Sequence, residues 1–220
     1  MELRILEEQN NWIKLAFTGL PLAVYNAIRR AILTEVPVMA VEEVLVIDNS
    51  SPIMNEVLAY RISLVPFVTD LDNYLLPEEC DCKSRLGCSK CSVRFSLKVE
   101  ANSEPLTVYS RDIKPEGNVG IIRPTSDSFP IVKLAPGQRV ELELYVRLGK
   151  GSRHPKWQPG IVTVYDDEKN GLVLYVESFG FLPPRRMVTE AVKRLRGRVI
   201  ELKRKFEEAT SQGVLNEAQS

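Results

Sequence analysis

Four cysteines lie within one short loop, CDCKSRLGCSKC, as Cys80, Cys82, Cys88 and Cys91 in the pattern C-x-C-x5-C-x2-C. Two close pairs of thiolates can surround a tetrahedral ion, and zinc is the usual occupant of a closed four-sulfur site. Such a centre carries net negative charge, and Lys83, Arg85 and Lys90 stand close by in sequence to offset it. Gly87 allows a tight turn before the second pair. Three other readings stay open. Ligands of an iron–sulfur cluster are usually more widely or differently spaced. Two disulfides need an oxidising compartment or a hyperthermophile. Plain reduced thiols are the third. With protein filling every position, an ion here pins a loop and leaves no place for water, so the spacing points to structural zinc rather than metal catalysis.

Other chemistry has little to work with. The single histidine, His154, lies in the loop-like GKGSRHPKW, and any Ser-His-Asp or Cys-His arrangement would need it. Phosphate-loop, dinucleotide and H-E-x-x-H patterns do not occur. The sequence gives no positive sign of an active site.

Two further stretches mix charge with apolar residues. In VYNAIRRAILTE, stepping 100° per residue groups Val24, Ala27, Ile28 and Ala31 on a core-facing stripe, with Ile32 on its edge. Leu33 falls opposite, between Arg29 on one side and Asn26 and Arg30 on the other. Arginine beside an apolar anchor resembles the centre of a protein interface; the competing reading is a solvated face with one stray leucine. In the last quarter, Val188, Val192, Leu195, Val199, Leu202 and Phe206 recur at heptad spacing. A seam of that kind packs on another helix, or else covers the chain's own sheet.

The elements that carry these residues read as α+β. Residues 3–6 and 12–17 are expected to form a strand pair. Pro21 opens a helix over 21–35, and Pro37 ends it. VEEVLVIDN is a strand, and SSP caps a helix near 53–63. Val93 to Val99 and Val140 to Leu148 alternate apolar with polar, as half-buried strands of a mostly antiparallel sheet do. The turn-rich 110–130 reads as a long surface connection. IVTVY and GLVLYVESFGF are strands either side of the DDEKNG turn. A long helix closes the chain from PPRR to residue 209, and the final TSQGVLNEAQS reads as a frayed tail.

Lys plus Arg equals Asp plus Glu, at 29 each, so no global field draws the chain to nucleic acid or an acidic membrane. The N-terminus lacks the pattern of a signal peptide, and no apolar run reaches bilayer-spanning length. The expected location is cytoplasmic, with no membrane partner.

GLPLAVYNAIRRAILTEVPVMAVEEVLVIDNSSPIMNEVLAYRISLVPF closely resembles the alpha-like subunits of archaeal and eukaryotic RNA polymerases. That family includes the archaeal D-type chain, bacterial alpha and the third-largest subunit of eukaryotic polymerase II. GKGSRHPKWQPG and VESFGFLPPRRMVTEAVKRL resemble its second half, so the likeness covers nearly the whole chain. It implies a discontinuous dimerisation domain of sheet plus helices from 1–45 and 163–220, including the long C-terminal helix. An inserted, mostly antiparallel β domain over 46–162 would carry the cysteine loop 80–91. It further implies a non-catalytic platform subunit of DNA-directed RNA polymerase, a nucleotidyltransferase whose active site resides in other chains. The implied partners are the smaller alpha-like subunit L, through the helix seam, and the small subunits N and P. Asn26, Arg29 and Arg30 match the motif on the helix that contacts a large catalytic subunit, so these arginines would hold protein carboxylates or carbonyls and not DNA. The cysteine loop resembles the zinc loop of the eukaryotic relative, with a longer gap between pairs. Some archaeal members carry an extra iron–sulfur domain between KWQPG and the final strand; only IVTVYDDEKNG stands there, and no cysteine follows Cys91, so no cluster is expected. The alternative class is a free-standing zinc-stabilised nucleic-acid-binding module using Lys83, Arg85, Lys90 and the basic final helix.

Overall fold

A computed structural model of the chain describes residues 2–217, with side chains through Thr210. Two four-stranded antiparallel sheets and a two-stranded pair build two cores that share the faces of one long strand, and the α+β class expected from the sequence is what the chain adopts.

The first sheet joins the two ends of the chain. Strands β1 (Glu2–Glu8) and β2 (Trp12–Thr18) form a hairpin, and so do the late strands β9 (Gly160–Asp167) and β10 (Gly171–Ser178). Their order is β1-β2-β10-β9, with Leu15 opposite Leu174 and Ile13 opposite Val176 across the β2–β10 seam. The late hairpin turns where Asp167 accepts the backbone N–H groups of Lys169 and Asn170, and Gly171 takes φ +68°. Helix α1 (Leu22–Glu35) lies across this sheet and buries Tyr25, Ile28, Ala31 and Ile32.

Tyr25 ties the layers together. Its hydroxyl accepts the N–H of Phe17 at 2.7 Å and lies 2.8 Å from the carbonyl of Leu172, so one phenol bridges both halves of the sheet. Wheel geometry placed Val24 and Ala27 on the core stripe instead. Val24 is only half-buried and Ala27 is exposed, because the sheet receives the face one residue further round.

The second sheet runs β3-β8-β4-β6, built from β3 (Pro37–Asn49), β4 (Val93–Glu100), β6 (Ile113–Pro115) and β8 (Arg139–Lys150). The alternation read in the sequence sets its register: Leu144 faces Phe95 on one side and Val44 on the other. Helix α2 (Asn55–Ser63) and the pair β5 (Leu106–Tyr109) and β7 (Pro130–Leu134) pack on its inner face, where the rings of Phe67 and Phe95 meet edge to face at 5.3 Å.

Strand β3 divides the two cores by its pleat. Val38 and Ala40 join the first, while Met39 and Val41 join the second. The short turn Pro155–Trp157 braces this junction. The Trp157 ring lies directly on Gly149, where a Cβ would sit 2.2 Å from it, so no larger residue fits.

Several expectations change. Pro21 precedes α1 rather than opening it, and β3 begins at Pro37, four residues before the expected strand. SSP does not cap α2: Met54 holds that position, and the Ser51 hydroxyl donates to Asn49 at 2.6 Å instead. The expected surface connection 110–130 buries Ser110, Ile113 and Ile122 and contributes β6, because its scattered apolar residues close the second core. Helix α3 (Pro184–Glu217) continues well past residue 209, since the following residues hold no proline to stop it. The last part of the expected tail, 218–220, lies outside the described residues. No described helix is long and apolar enough to cross a membrane.

Candidate metal centre and interaction faces

Between α2 and β4 the chain makes a turn-rich loop that folds the four cysteines together. Their Sγ atoms all lie within 4.8 Å of one another, and all four are free thiols. Cys80 and Cys88 are 3.7 Å apart, Cys82 and Cys91 3.7 Å, and Cys88 and Cys91 3.9 Å. A tetrahedron of sulfurs at about 2.3 Å from a central ion has edges of about 3.8 Å. The cage therefore has the size and donor set that a single soft or borderline ion requires.

The local backbone explains that closeness. The N–H groups of Cys91 and Ser92 both donate to the Cys88 carbonyl, and the Cys88 N–H points at Cys91 Sγ at 3.4 Å. Gly87 holds φ +80° before this turn, as the sequence suggested; a Cβ there would meet Ser92 Cβ at 2.5 Å. The thiols are not equivalent. The Lys90 backbone N–H is the chief cause that lowers Cys88 to about 7, while burial pushes Cys91 up to about 12.

Of the three nearby cations singled out in the sequence, Lys83 and Lys90 are exposed, and Arg85 pairs with Glu43 at 3.5 Å. Sequence reasoning missed Arg147 on β8, whose guanidinium lies under the loop and donates through Nη2 to the Arg85 carbonyl. Its one sequence signal is a charge between the buried Val146 and Leu148 in an alternating strand.

On α1, Arg29 Nε donates to Asn26 Oδ1 at 3.3 Å, so these two side chains do form one polar edge. Arg30 is exposed, and neither arginine has a carboxylate partner among the described residues. Leu33 does not stand free between them: it is half-buried and packs on the first core. Arg30 instead lines a cleft between α1 and α3 with Ala27, Thr34, Leu195 and Arg198, about 220 Å³ in volume. Arg198 spans it to Glu35 at 2.7 Å.

The heptad seam splits in two. Val188 and Leu195 rest against the first core beside the fully buried Met187 and Ala191. Val192, Val199, Leu202 and Phe206 do not join them; they are 47%, 66%, 68% and 71% exposed. Beyond Leu195, no described residue of α3 belongs to either core, and its apolar Val199, Leu202 and Phe206 are uncovered.

The single histidine serves the backbone. His154 Nδ1 accepts the Lys156 N–H at 3.1 Å and closes a turn. An apolar groove of about 380 Å³ between the cores is lined by Leu64, Pro66, Phe129, Phe179 and Phe181, and its one charged side chain, Lys156, is already paired with Glu42 at 2.6 Å.

Known proteins match the chain along most of its length. Residues 45–164 match the family described as the RNA polymerase Rpb3/RpoA insert domain. A DNA-directed RNA polymerase subunit Rpo3 of Methanosphaera stadtmanae is 40% identical over 188 residues, covering 80% of this chain and 68% of that relative. The Rpo3 of Methanosarcina acetivorans is 38% identical over 178 residues, 81% of this chain and 64% of the relative. That of Thermococcus kodakarensis is 38% identical over 162 residues, 74% of this chain and 58% of the relative. The match spans less than two thirds of the latter two relatives' lengths.

Proposed function

Because this chain belongs to the Rpb3/RpoA family of DNA-directed RNA polymerase subunits, we propose that it is a non-catalytic assembly subunit of the cytoplasmic polymerase, a nucleotidyltransferase. One observation carries the reading: from Val192 onward α3 projects an uncovered apolar stripe, Val192, Val199, Leu202 and Phe206, at the spacing of a helix-pairing seam. The occupant is the smaller alpha-like subunit, archaeal L, whose helices complete the bundle.

The dimerisation domain comprises 1–45 and 163–220, and the inserted domain 46–162. The β1-β2-β10-β9 sheet, built from early and late strands, and the separation of the two cores support this division. Asn26, Arg29 and Arg30 face a large catalytic subunit, with Leu33 as the packed floor of that edge. Two guanidinium groups without carboxylate partners among the described residues suit protein acceptors. The small subunits N and P complete the platform.

The cysteine cage holds structural zinc through Cys80, Cys82, Cys88 and Cys91. Sulfurs 3.7–3.9 Å apart suit one ion and leave no room for several irons with bridging sulfides. Bound zinc would supply a rigid tetrahedral crosslink; the chain's contribution is to fold the loop so that the thiols converge before it arrives.

Co-expression with the smaller alpha-like subunit tests the assembly role. The expected result is a one-to-one complex by native mass spectrometry, with amide protection gained across 192–206. A stable monomer whose α3 amides are equally protected with and without that subunit would contradict it.

A further inference from the structure

Buried side chains that lack a partner mark places where a charge or ligand is missing. Among the described residues, three buried side-chain polar atoms have no hydrogen-bond partner, and two of them, Ser92 Oγ and Arg147 Nε, lie beneath the cysteine loop. Arg147 is 8% exposed, and no carboxylate lies within ion-pairing distance of it among the described residues. On the neighbouring strand β3, Glu43 pairs with Arg85, and Glu42 with Lys156 and Arg153. Its one recorded side-chain hydrogen bond goes to the Arg85 carbonyl, within the loop itself.

Burying a guanidinium without a counter-charge is costly. What stands next to it is the thiol cage. A methyl group placed on Gly87 would sit 3.2 Å from Arg147 Nη2 and 3.2 Å from Cys91 Sγ, so those two atoms are no more than about 6.4 Å apart. The Ser92 side chain closes on the same point at 2.5 Å. Four protonated thiols would offer Arg147 no counter-charge; an ion held on four thiolates would make the cage an anion.

We propose that Arg147, with Ser92 beside it, is the buried counter-charge of the loaded cysteine centre and sets how tightly the ion is held. The inference rests on the metal reading above, and adds a residue of β8 far from the loop in sequence. It also gives the second sheet a part in metal retention: Arg147 lies opposite Ala40 in the β3–β8 ladder, at the boundary of the two cores. The centre is then anchored to the body of the fold by charge as well as by chain. Arg147 positions and stabilises the ligands and is not itself a ligand.

The test uses the full chain, co-purified with its smaller alpha-like partner, as wild type, Arg147→Met and Arg147→Lys. Zinc affinity is read by competition with a chromophoric chelator, and thermal midpoints are taken with zinc and after chelation. Arg147→Met is expected to weaken zinc about tenfold or more, in the range typical of outer-shell partners, and Arg147→Lys to recover most of that loss. After chelation, Arg147→Met is expected to melt no lower than wild type, since it removes an uncompensated buried charge; a merely structural arginine would destabilise both forms alike. Zinc affinity unchanged within twofold in Arg147→Met, or equal destabilisation with and without zinc, overturns the proposal while leaving the metal reading intact. A wild-type chain that retains no zinc, unaffected by Cys80→Ser, removes the metal reading and this inference with it.

Discussion

Replacing Leu202 and Phe206 by glutamine separates pairing from folding. The two side chains are 68% and 71% exposed in the isolated chain, so the fold gains little from them. Fully burying a leucine or phenylalanine is worth about 1.5–3 kcal/mol. A partner that covers the remaining two-thirds would recover about 1–2 kcal/mol from each, or about 2–4 kcal/mol from both. The double variant should therefore weaken the heterodimer by about 30- to 700-fold. Glutamine is a good helix former, so α3 itself should persist. The assay is fluorescence anisotropy of the labelled smaller subunit titrated with wild type or variant, with circular dichroism as the check on helix content. Leu195→Gln provides the contrast: Leu195 rests on the first core, so its loss should lower the stability of this chain even without a partner. Affinity within twofold of wild type in the double variant, with helix intact, would refute the reasoning.

Other outcomes follow from the buried polar groups and the cage. Tyr25→Phe removes the phenol that serves Phe17 and Leu172, leaving buried backbone groups unpaired; the expected loss is about 2 kcal/mol, seen as a thermal midpoint about 4–8 °C lower. Asp70 gives a pH signature. Burial works to raise its carboxyl, but hydrogen bonds from the Asn73 side chain and from the N–H groups of Asn73 and Asp72 outweigh it and hold the group below its ordinary 3.8. A depressed folded value means stability present above pH 3.8 and lost as pH falls through the folded value. Asp70→Ala should thus be less stable than wild type at neutral pH by about 1–3 kcal/mol, and urea titrations should show the gap closing in strong acid. Chelation of zinc, or Cys88→Ser, should lower the thermal midpoint and expose the loop 80–91 to protease, with zinc affinity rising with pH because each thiol must lose its proton.

What the sequence made legible was what local pattern encodes. Alternation in Val93–Val99 and Val140–Leu148 gave the central strands of the second sheet, and the cysteine spacing gave the whole cage. Heptad spacing found the residues of α3 but not their division, since Val188 and Leu195 differ from Leu202 and Phe206 only in what lies beneath them. Long-range pairing was beyond any local signal. β2 meets β10 across most of the chain, and Tyr25 is buried where its hydroxyl reaches both Phe17 and Leu172. The 110–130 segment misled because its turn residues outnumber the few apolar ones, Ile113 and Ile122, that fix it to the core. Arg147 escaped notice for a related reason: its significance comes from a loop that joins it only in three dimensions. Family resemblance supplied the expectation of a discontinuous arrangement and of polymerase partners, which periodicity could not.

The most direct measurement is affinity purification of the tagged chain from its native host, with stoichiometry by quantitative mass spectrometry. An assembly subunit should bring the smaller alpha-like subunit and the large polymerase subunits in fixed ratio, and Leu202→Gln with Phe206→Gln should reduce the recovery of all of them together. Recovery of the chain alone, or with nucleic acid and no polymerase subunit, would contradict the account.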